Sequence, residues 1–151
     1  MVFLAALVFY GTTMCRTVYW YDSAEFAAAA SVLGIPHPPG YPLYTLLGRL
    51  YGLLLPGEPA VNVNAMSAVH GALGIALLFL VQRQLGADRW GALLGTLALA
   101  TSESYRLNSS VAEVYTTGIV FLLLAFALLL HGVRERRRGW LVAAAFVGGL
   151  G

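Results

Sequence analysis

Between Asn64 and Val81 the chain runs without one charged side chain, and it does so again from Tyr115 to Leu130. Runs of this kind decide what solvent the fold is built for, because a helix crossing a bilayer needs roughly 17–25 mostly apolar residues. The rest of the composition agrees. Only 11% of the 151 residues are charged, 59% are hydrophobic and mean hydropathy is +0.75, whereas a water-facing domain usually carries about 25% charged residues. The expected class is an all-α integral membrane protein of several spans, with no soluble surface to speak of. A net charge of +2 gives no reason to expect a nucleic-acid partner. Cys15 is the single cysteine, which excludes a disulfide framework and a cysteine-based zinc site.

Hydropathy places spans at about 2–14, 64–81, 90–104 and 115–130, with an incomplete one at 140–151. All of residues 1–151 then form the N-terminal part of one transmembrane domain, expected to continue beyond it. The basic residues orient these spans. All nine are arginines; Arg83, Arg89, Arg134, Arg136, Arg137 and Arg138 fall in the two short connections 82–89 and 131–139. By the positive-inside bias these connections face the cytoplasm. Segments 15–63 and 102–114 then become outer loops, and they hold five of the seven acidic residues, namely Asp22, Glu25, Glu58, Glu103 and Glu113.

The first outer loop has too much local signal to be a linker. Asp22-Ser23-Ala24-Glu25 has capping-box spacing, with Asp22 at the N-cap and Glu25 at N3, and Tyr21 and Phe26 occupy the positions of a hydrophobic staple. The spacing predicts a short helix through the alanines 27–30 to Leu33, with Gly34 in the left-handed position and Pro36 blocking continuation. Four successive alanines make it thin enough to lie close against a neighbour. Pro36-His37-Pro38-Pro39-Gly40-Tyr41-Pro42 should be stiff and extended, since each proline fixes its own φ and restricts the residue before it. A second short helix is expected over Leu43–Leu55, closed by Pro56-Gly57. It carries Arg49, which places it at the membrane surface or partly re-entrant.

Several of these residues could do chemistry. Asp22 and Glu25 lie one helical turn apart, so both carboxylates project from one end of a helix, as a cap, a general base or half of a metal site. His37 is either a polar loop residue or a donor to a substrate phosphate. Gly40-Tyr41 is a turn with an interfacial aromatic, or a substrate contact. Glu113 and Tyr115 mark the top of a helix meeting water, and Arg49 can simply snorkel to lipid headgroups. Asn108-Ser109-Ser110 matches an N-glycosylation acceptor.

The stretches Tyr21-Asp22-Ser23-Ala24-Glu25-Phe26 and Leu33-Gly34-Ile35-Pro36-His37-Pro38-Pro39-Gly40-Tyr41-Pro42-Leu43-Tyr44 resemble the signature of a protein O-mannosyltransferase-like membrane family. Its bacterial members were long known only as a domain of unknown function. Asn62–Ser67 and Ala112-Glu113-Val114-Tyr115 resemble two further family blocks, so the likeness covers roughly residues 15–120. It implies a multi-span helical glycosyltransferase of the GT-C class, multi-pass in a bacterial inner membrane, with its active site on the outer face. The donor would be a lipid-phosphate-linked sugar, mannose on a polyprenyl phosphate at family level, and the acceptor a protein Ser or Thr hydroxyl or a glycan. A divalent metal is a possible cofactor; none is certain.

The acidic motif carries over to Asp22 and Glu25. Asp22 is the candidate base, with Glu25 its partner or a metal ligand; His37, Tyr41, Arg49, Glu113 and Tyr115 are the candidate substrate contacts. Alanine stands here where the family pattern has glycine, and better-known O-mannosyltransferases place Asp and Glu side by side, which leaves open which carboxylate is the base. The rival readings are a transporter or flippase for a lipid-linked or amphipathic molecule, and a non-catalytic subunit of a membrane complex. A transporter should bury ionisable groups in mid-span. His70 is the nearest case here.

Overall fold

A computed structural model describes residues Met1–Gly151 as eight helices and no strand. They are α1 (Val2–Thr13), α2 (Ser23–Val32), α3 (Pro42–Leu54), α4 (Pro59–Gln84), α5 (Arg89–Thr101), α6 (Glu103–Asn108), α7 (Tyr115–Glu135) and α8 (Arg138–Gly148). Helices α4 and α7 are long and apolar enough to cross a membrane; α1 and α8 are apolar but shorter. Helix α5 has 13 residues, about 20 Å at 1.5 Å per residue, so it does not by itself cover the roughly 30 Å hydrocarbon core. Helix α6 was not foreseen.

Helix α4 is the post around which the rest is arranged, packing on α1, α2, α3, α5 and α7. It starts cleanly because Pro59 sits in the first turn, where a missing N–H is no loss. Its buried face is built of small and polar residues, so neighbours come very close. A Cβ on Gly71 would collide with the Ser109 side chain, and one on Gly74 with the Tyr105 hydroxyl. Tyr105 instead donates its hydroxyl to the Gly71 carbonyl at 2.9 Å. Asn64, fully buried, donates to the carbonyls of Cys15 and Thr17 at 2.9 and 3.0 Å. That bond pair pins the start of the first long loop to the post. His70 Nδ1 meets Thr117 Oγ1 of α7 at 2.8 Å, giving the one histidine in mid-helix a partner inside the bundle.

The two arginine-bearing connections meet at one end, where Arg134 donates to the Gln84 carbonyl at 3.0 Å. Glu113 precedes α7 and Arg134 ends it, so the acidic and basic groups stand at opposite ends of a 21-residue helix, about 31 Å apart along its axis.

The first long loop folds as α2, a turn and α3, laid against the start of α4. Phe26, Ala30, Tyr44, Val63, Met66 and Ala112 make its core. Its alanines do allow close approach: Gly48 of α3 sits so near α2 that an added Cβ would stand 2.8 Å from the Ala30 Cβ. The outer side of α3 is a leucine face, with Leu46, Leu50, Leu53 and Leu54 all exposed.

Four local expectations need correction. The capping box does not form: Asp22 has helical backbone angles (φ −78°, ψ −3°) and its side chain makes no cap bond, because an N-cap side chain folds back only from an extended backbone. The staple does not form either. Tyr21 turns left-handed (φ 65°) and stays 82% exposed, while Phe26 packs on Tyr44 and Tyr41. The left-handed residue ending α2 is Leu33 (φ 54°), and Gly34 follows it, donating its N–H to the Ala29 carbonyl at 2.8 Å. Finally, Pro36–Pro42 is not extended. The Pro38–Pro39 peptide is cis, Gly40 donates back to the His37 carbonyl at 3.0 Å, and Gly40 and Tyr41 both have positive φ. The segment turns back on itself and sets His37 over the start of α2.

Candidate functional site

That turn brings together residues which spacing alone left apart. His37 lies over Phe26, ring centroids 5.5 Å apart, with Tyr41 edge-on at 5.8 Å. Glu25 then reaches it twice. One carboxylate oxygen accepts from the His37 backbone N–H at 2.7 Å, and the other meets ring Nδ1 at 2.8 Å. An ionised carboxylate can only accept, so the proton at this contact lies on Nδ1. The opposite ring nitrogen, Nε2, stands 3.9 Å from the nearer Asp22 carboxylate oxygen. This is within electrostatic reach but too long for a hydrogen bond.

The charges respond to one another. The hydrogen bond from the His37 ring, helped by the backbone one, holds the Glu25 carboxyl below its ordinary value. The same bond raises the His37 imidazole, with further help from the charges of Asp22 and Glu113. Glu113 enters from the segment before α7, where its backbone N–H points to Ser67 Oγ at 3.5 Å. Burial, and then the Asp22 charge, push its carboxyl above the usual carboxylate range. Two carboxyls in different surroundings, the half-exposed Asp22 and the more enclosed Glu113, thus face the same cavity.

Asp22 and Glu113 line a cavity of about 310 Å³ with Tyr19, Tyr21, Asn108 and Tyr115. Tyr115 also lines an apolar groove of about 520 Å³ running from Tyr41, Pro42 and Tyr44 down to Ile119 and Leu122 of α7. Leu107 and Val111 complete the first cavity, so two carboxyls stand in a largely apolar and aromatic chamber that shares Tyr115 with the groove.

Of the expected site residues, Asp22, Glu25, His37, Tyr41, Glu113 and Tyr115 are brought to this region. Arg49 is not. Its guanidinium donates to the Ser31 carbonyl at 2.7 Å, at the far end of α2, where a cation suits the helix dipole. Asn108 is the last residue of α6 and donates to the Ser104 carbonyl, while Ser110 is buried, so the glycosylation triplet is packed rather than displayed. Sequence reading missed Tyr19, exposed at the mouth of the chamber, and Ser67, whose only signal was its place in the Asn62–Ser67 block. Donor atoms of Asp22, Glu25 and His37 come within 4.8 Å of one another, near enough for a divalent cation. One Glu25 oxygen accepts from the His37 main-chain N–H and the other meets ring Nδ1, so Glu25 and His37 are arranged as a hydrogen-bonded pair beside Asp22.

Comparison with known proteins places the chain in a family. The family described as the protein O-mannosyl-transferase TMEM260 N-terminal domain matches residues 22–151. The mouse protein O-mannosyl-transferase TMEM260 is 35% identical over 128 residues, covering 84% of this chain and 18% of the mouse protein. Its Dictyostelium discoideum counterpart is 24% identical over 139 residues, 90% of this chain and 17% of that protein. The chain thus spans less than a fifth of the length of these curated relatives. No solved structure matches it. With the matched region running from Asp22 through both loops and every later helix, this chain belongs to the TMEM260 N-terminal domain family.

Proposed function

We propose that the chain is the site-bearing N-terminal part of a multi-span, GT-C-type glycosyltransferase, which moves mannose from a polyprenyl-phosphate donor to a Ser or Thr hydroxyl of a protein. The observation that carries this reading is a chamber bearing Asp22 and Glu113 that shares Tyr115 with an apolar groove. A lipid-linked sugar has the same two parts, an apolar tail and a polar head. The chamber lies at the acidic end of α7, opposite the arginines, which by the positive-inside bias is the non-cytoplasmic face.

In this mechanism the acceptor oxygen attacks the anomeric carbon, and the bond from that carbon to the phosphate oxygen breaks with its electron pair. The acceptor's proton passes to Asp22, the carboxylate exposed to the chamber. Glu113 offers its carboxyl to a sugar or acceptor hydroxyl in the chamber, Tyr115 flanks the sugar, and Tyr41 stands in the adjoining groove. His37 adds positive charge where the phosphate departs; charge of that sign is what a phosphate leaving group needs. Other phosphate contacts fall to the rest of the full-length protein, and Arg49 has no part. His70 is already paired within the bundle, which leaves no free mid-span charge for a transport pathway.

The test is Asp22→Asn in the full-length protein, assayed with polyprenyl-phosphate radiolabelled mannose and a Ser/Thr peptide. Because Asp22 makes no cap bond, the variant should fold normally. Transfer should fall by roughly 10²–10⁴-fold, the usual worth of a general base. A wild-type rate in a folded variant would remove Asp22 from the mechanism.

A further inference from the structure

We infer that Glu25 is a positioning residue for His37, fixing the imidazole so that Nε2 faces the Asp22 carboxylate, and is neither a second base nor an independent substrate contact. The inference deepens the function proposed above and rests on it only for the meaning of Nε2.

The argument is geometric. Glu25 spends one oxygen on the His37 main-chain N–H at 2.7 Å and the other on the ring at 2.8 Å, so its carboxylate is aimed at His37, and it is not among the residues that line the chamber. The two contacts also lock different freedoms. The main-chain bond fixes the turn at His37, and the ring bond fixes rotation of the imidazole and places the proton on Nδ1. Phe26 below and Tyr41 at the edge close off the remaining movement. What is left free is Nε2, 3.9 Å from the carboxylate of Asp22, a residue that lines the chamber. The charged groups facing the ring are Glu25 and Asp22 from the start of α2 and Glu113 from the segment before α7. All three are acidic, so each favours the protonated ring, and only Glu25 touches it.

Glutamine at position 25 is the informative change. It has the shape of glutamate but only one acceptor oxygen, so it cannot accept from both His37 donors. With its oxygen on the main-chain N–H, its NH₂ faces Nδ1, and a neutral ring must then carry its proton on Nε2. Glu25→Gln should therefore switch the tautomer of His37 without dismantling the turn.

Two measurements on the full-length protein in nanodiscs decide the matter. In ¹⁵N-histidine spectra, with His37 assigned by His37→Ala, neutral His37 should be protonated at Nδ1 in the wild type and at Nε2 in Glu25→Gln, and its titration midpoint should fall in the variant. An unchanged tautomer and midpoint would overturn the inference, and this readout needs no transferase activity. The second is a double-mutant cycle on transfer rate. If Glu25 acts through His37, adding Glu25→Gln to His37→Ala should change the rate less than twofold, although Glu25→Gln alone lowers it at least tenfold. Losses that multiply in the double variant would mean that Glu25 works on its own and would also overturn the inference. A protein that moves no mannose would sink the proposed function, yet the spectra would still decide the Glu25–His37 relationship.

Discussion

Helix α3 offers two glycines one turn apart, and they should respond oppositely to the same substitution. Alanine is favoured over glycine inside a helix by about 0.8–1.0 kcal/mol at either position. At Gly52 a new Cβ meets nothing within 4 Å, so Gly52→Ala should keep that gain and stabilise the protein by up to ~1 kcal/mol. At Gly48 the Cβ would stand 2.8 Å from the Ala30 Cβ, against about 3.5–4.0 Å for a relaxed carbon contact. The Ala30 methyl is one bond from the backbone of α2 and has no rotamer to retreat into, so the whole of α2 must shift by most of an ångström. Overpacking of this kind costs about 1–3 kcal/mol. Set against the propensity gain, Gly48→Ala should destabilise by roughly 0–2 kcal/mol. The two variants should then differ by about 1–3 kcal/mol. Thermal unfolding of both in the same lipid nanodisc reads the difference. Gly48→Ala should also slow transfer, because the helix that must move carries Asp22 and Glu25 at its start. Coincident unfolding curves, with equal activities, would refute the close packing of α2 on α3 and with it the account of how the site is held.

Phe26→Ala removes a ring that is 2% exposed and supports His37, Tyr41 and Tyr44; a loss of about 3–5 kcal/mol in thermal unfolding is expected, with Phe26→Leu retaining most of the stability. The Glu25–His37 pair should protect the His37 amide from hydrogen exchange only within a pH window. Glu25, lowered in the folded state, gives up its contribution as pH falls through that lowered value; His37, raised, gives up its own as pH rises through the raised one. Protection should thus be greatest between the two and weaken with salt, and exchange that ignores pH beyond its intrinsic rate would count against the pair. In a Cys15→Ser background, Glu58→Cys should react with a membrane-impermeant thiol reagent on intact cells and Glu135→Cys should not. Labelling at 135 alone would invert the proposed orientation.

The large-scale pattern was readable from sequence wherever a single physical signal dominated. Apolar runs located α4 and α7, proline and glycine bracketed α3, and arginine marked the end opposite the acidic loops. Legibility failed where one side chain had two partners to choose between. Asp22-Ser23-Ala24-Glu25 satisfies the spacing of a capping box, yet Glu25 prefers His37, twelve residues away in sequence, and no local pattern can announce that competitor. Arg49 is by sequence a lipid-facing cation or, by resemblance, a substrate contact, and its bond to the Ser31 carbonyl, eighteen residues away, is equally unannounced by local pattern. Tyr21 and Leu33 take left-handed backbone angles that side-chain type argues against. Sequence spacing named residues that the structure places near one another, while the bonds among them were not legible in it.

The two ties on α2 bear on how quickly the site could adapt to a substrate. Glu25 fastens the first turn of the helix to the turn that follows it, and Arg49 fastens the last turn to α3. A rod held at both ends cannot swing as a lid. Any opening of the chamber therefore falls to the other wall, Tyr19 and Tyr21 ahead of α2 and Tyr115 at the head of α7. Tyr21 and Tyr115 are largely exposed and Tyr19 partly so, and exposed side chains reorient in picoseconds to nanoseconds. Admission of a sugar would then be governed by aromatic shutters on a fixed frame, with little entropy left to lose in the frame itself.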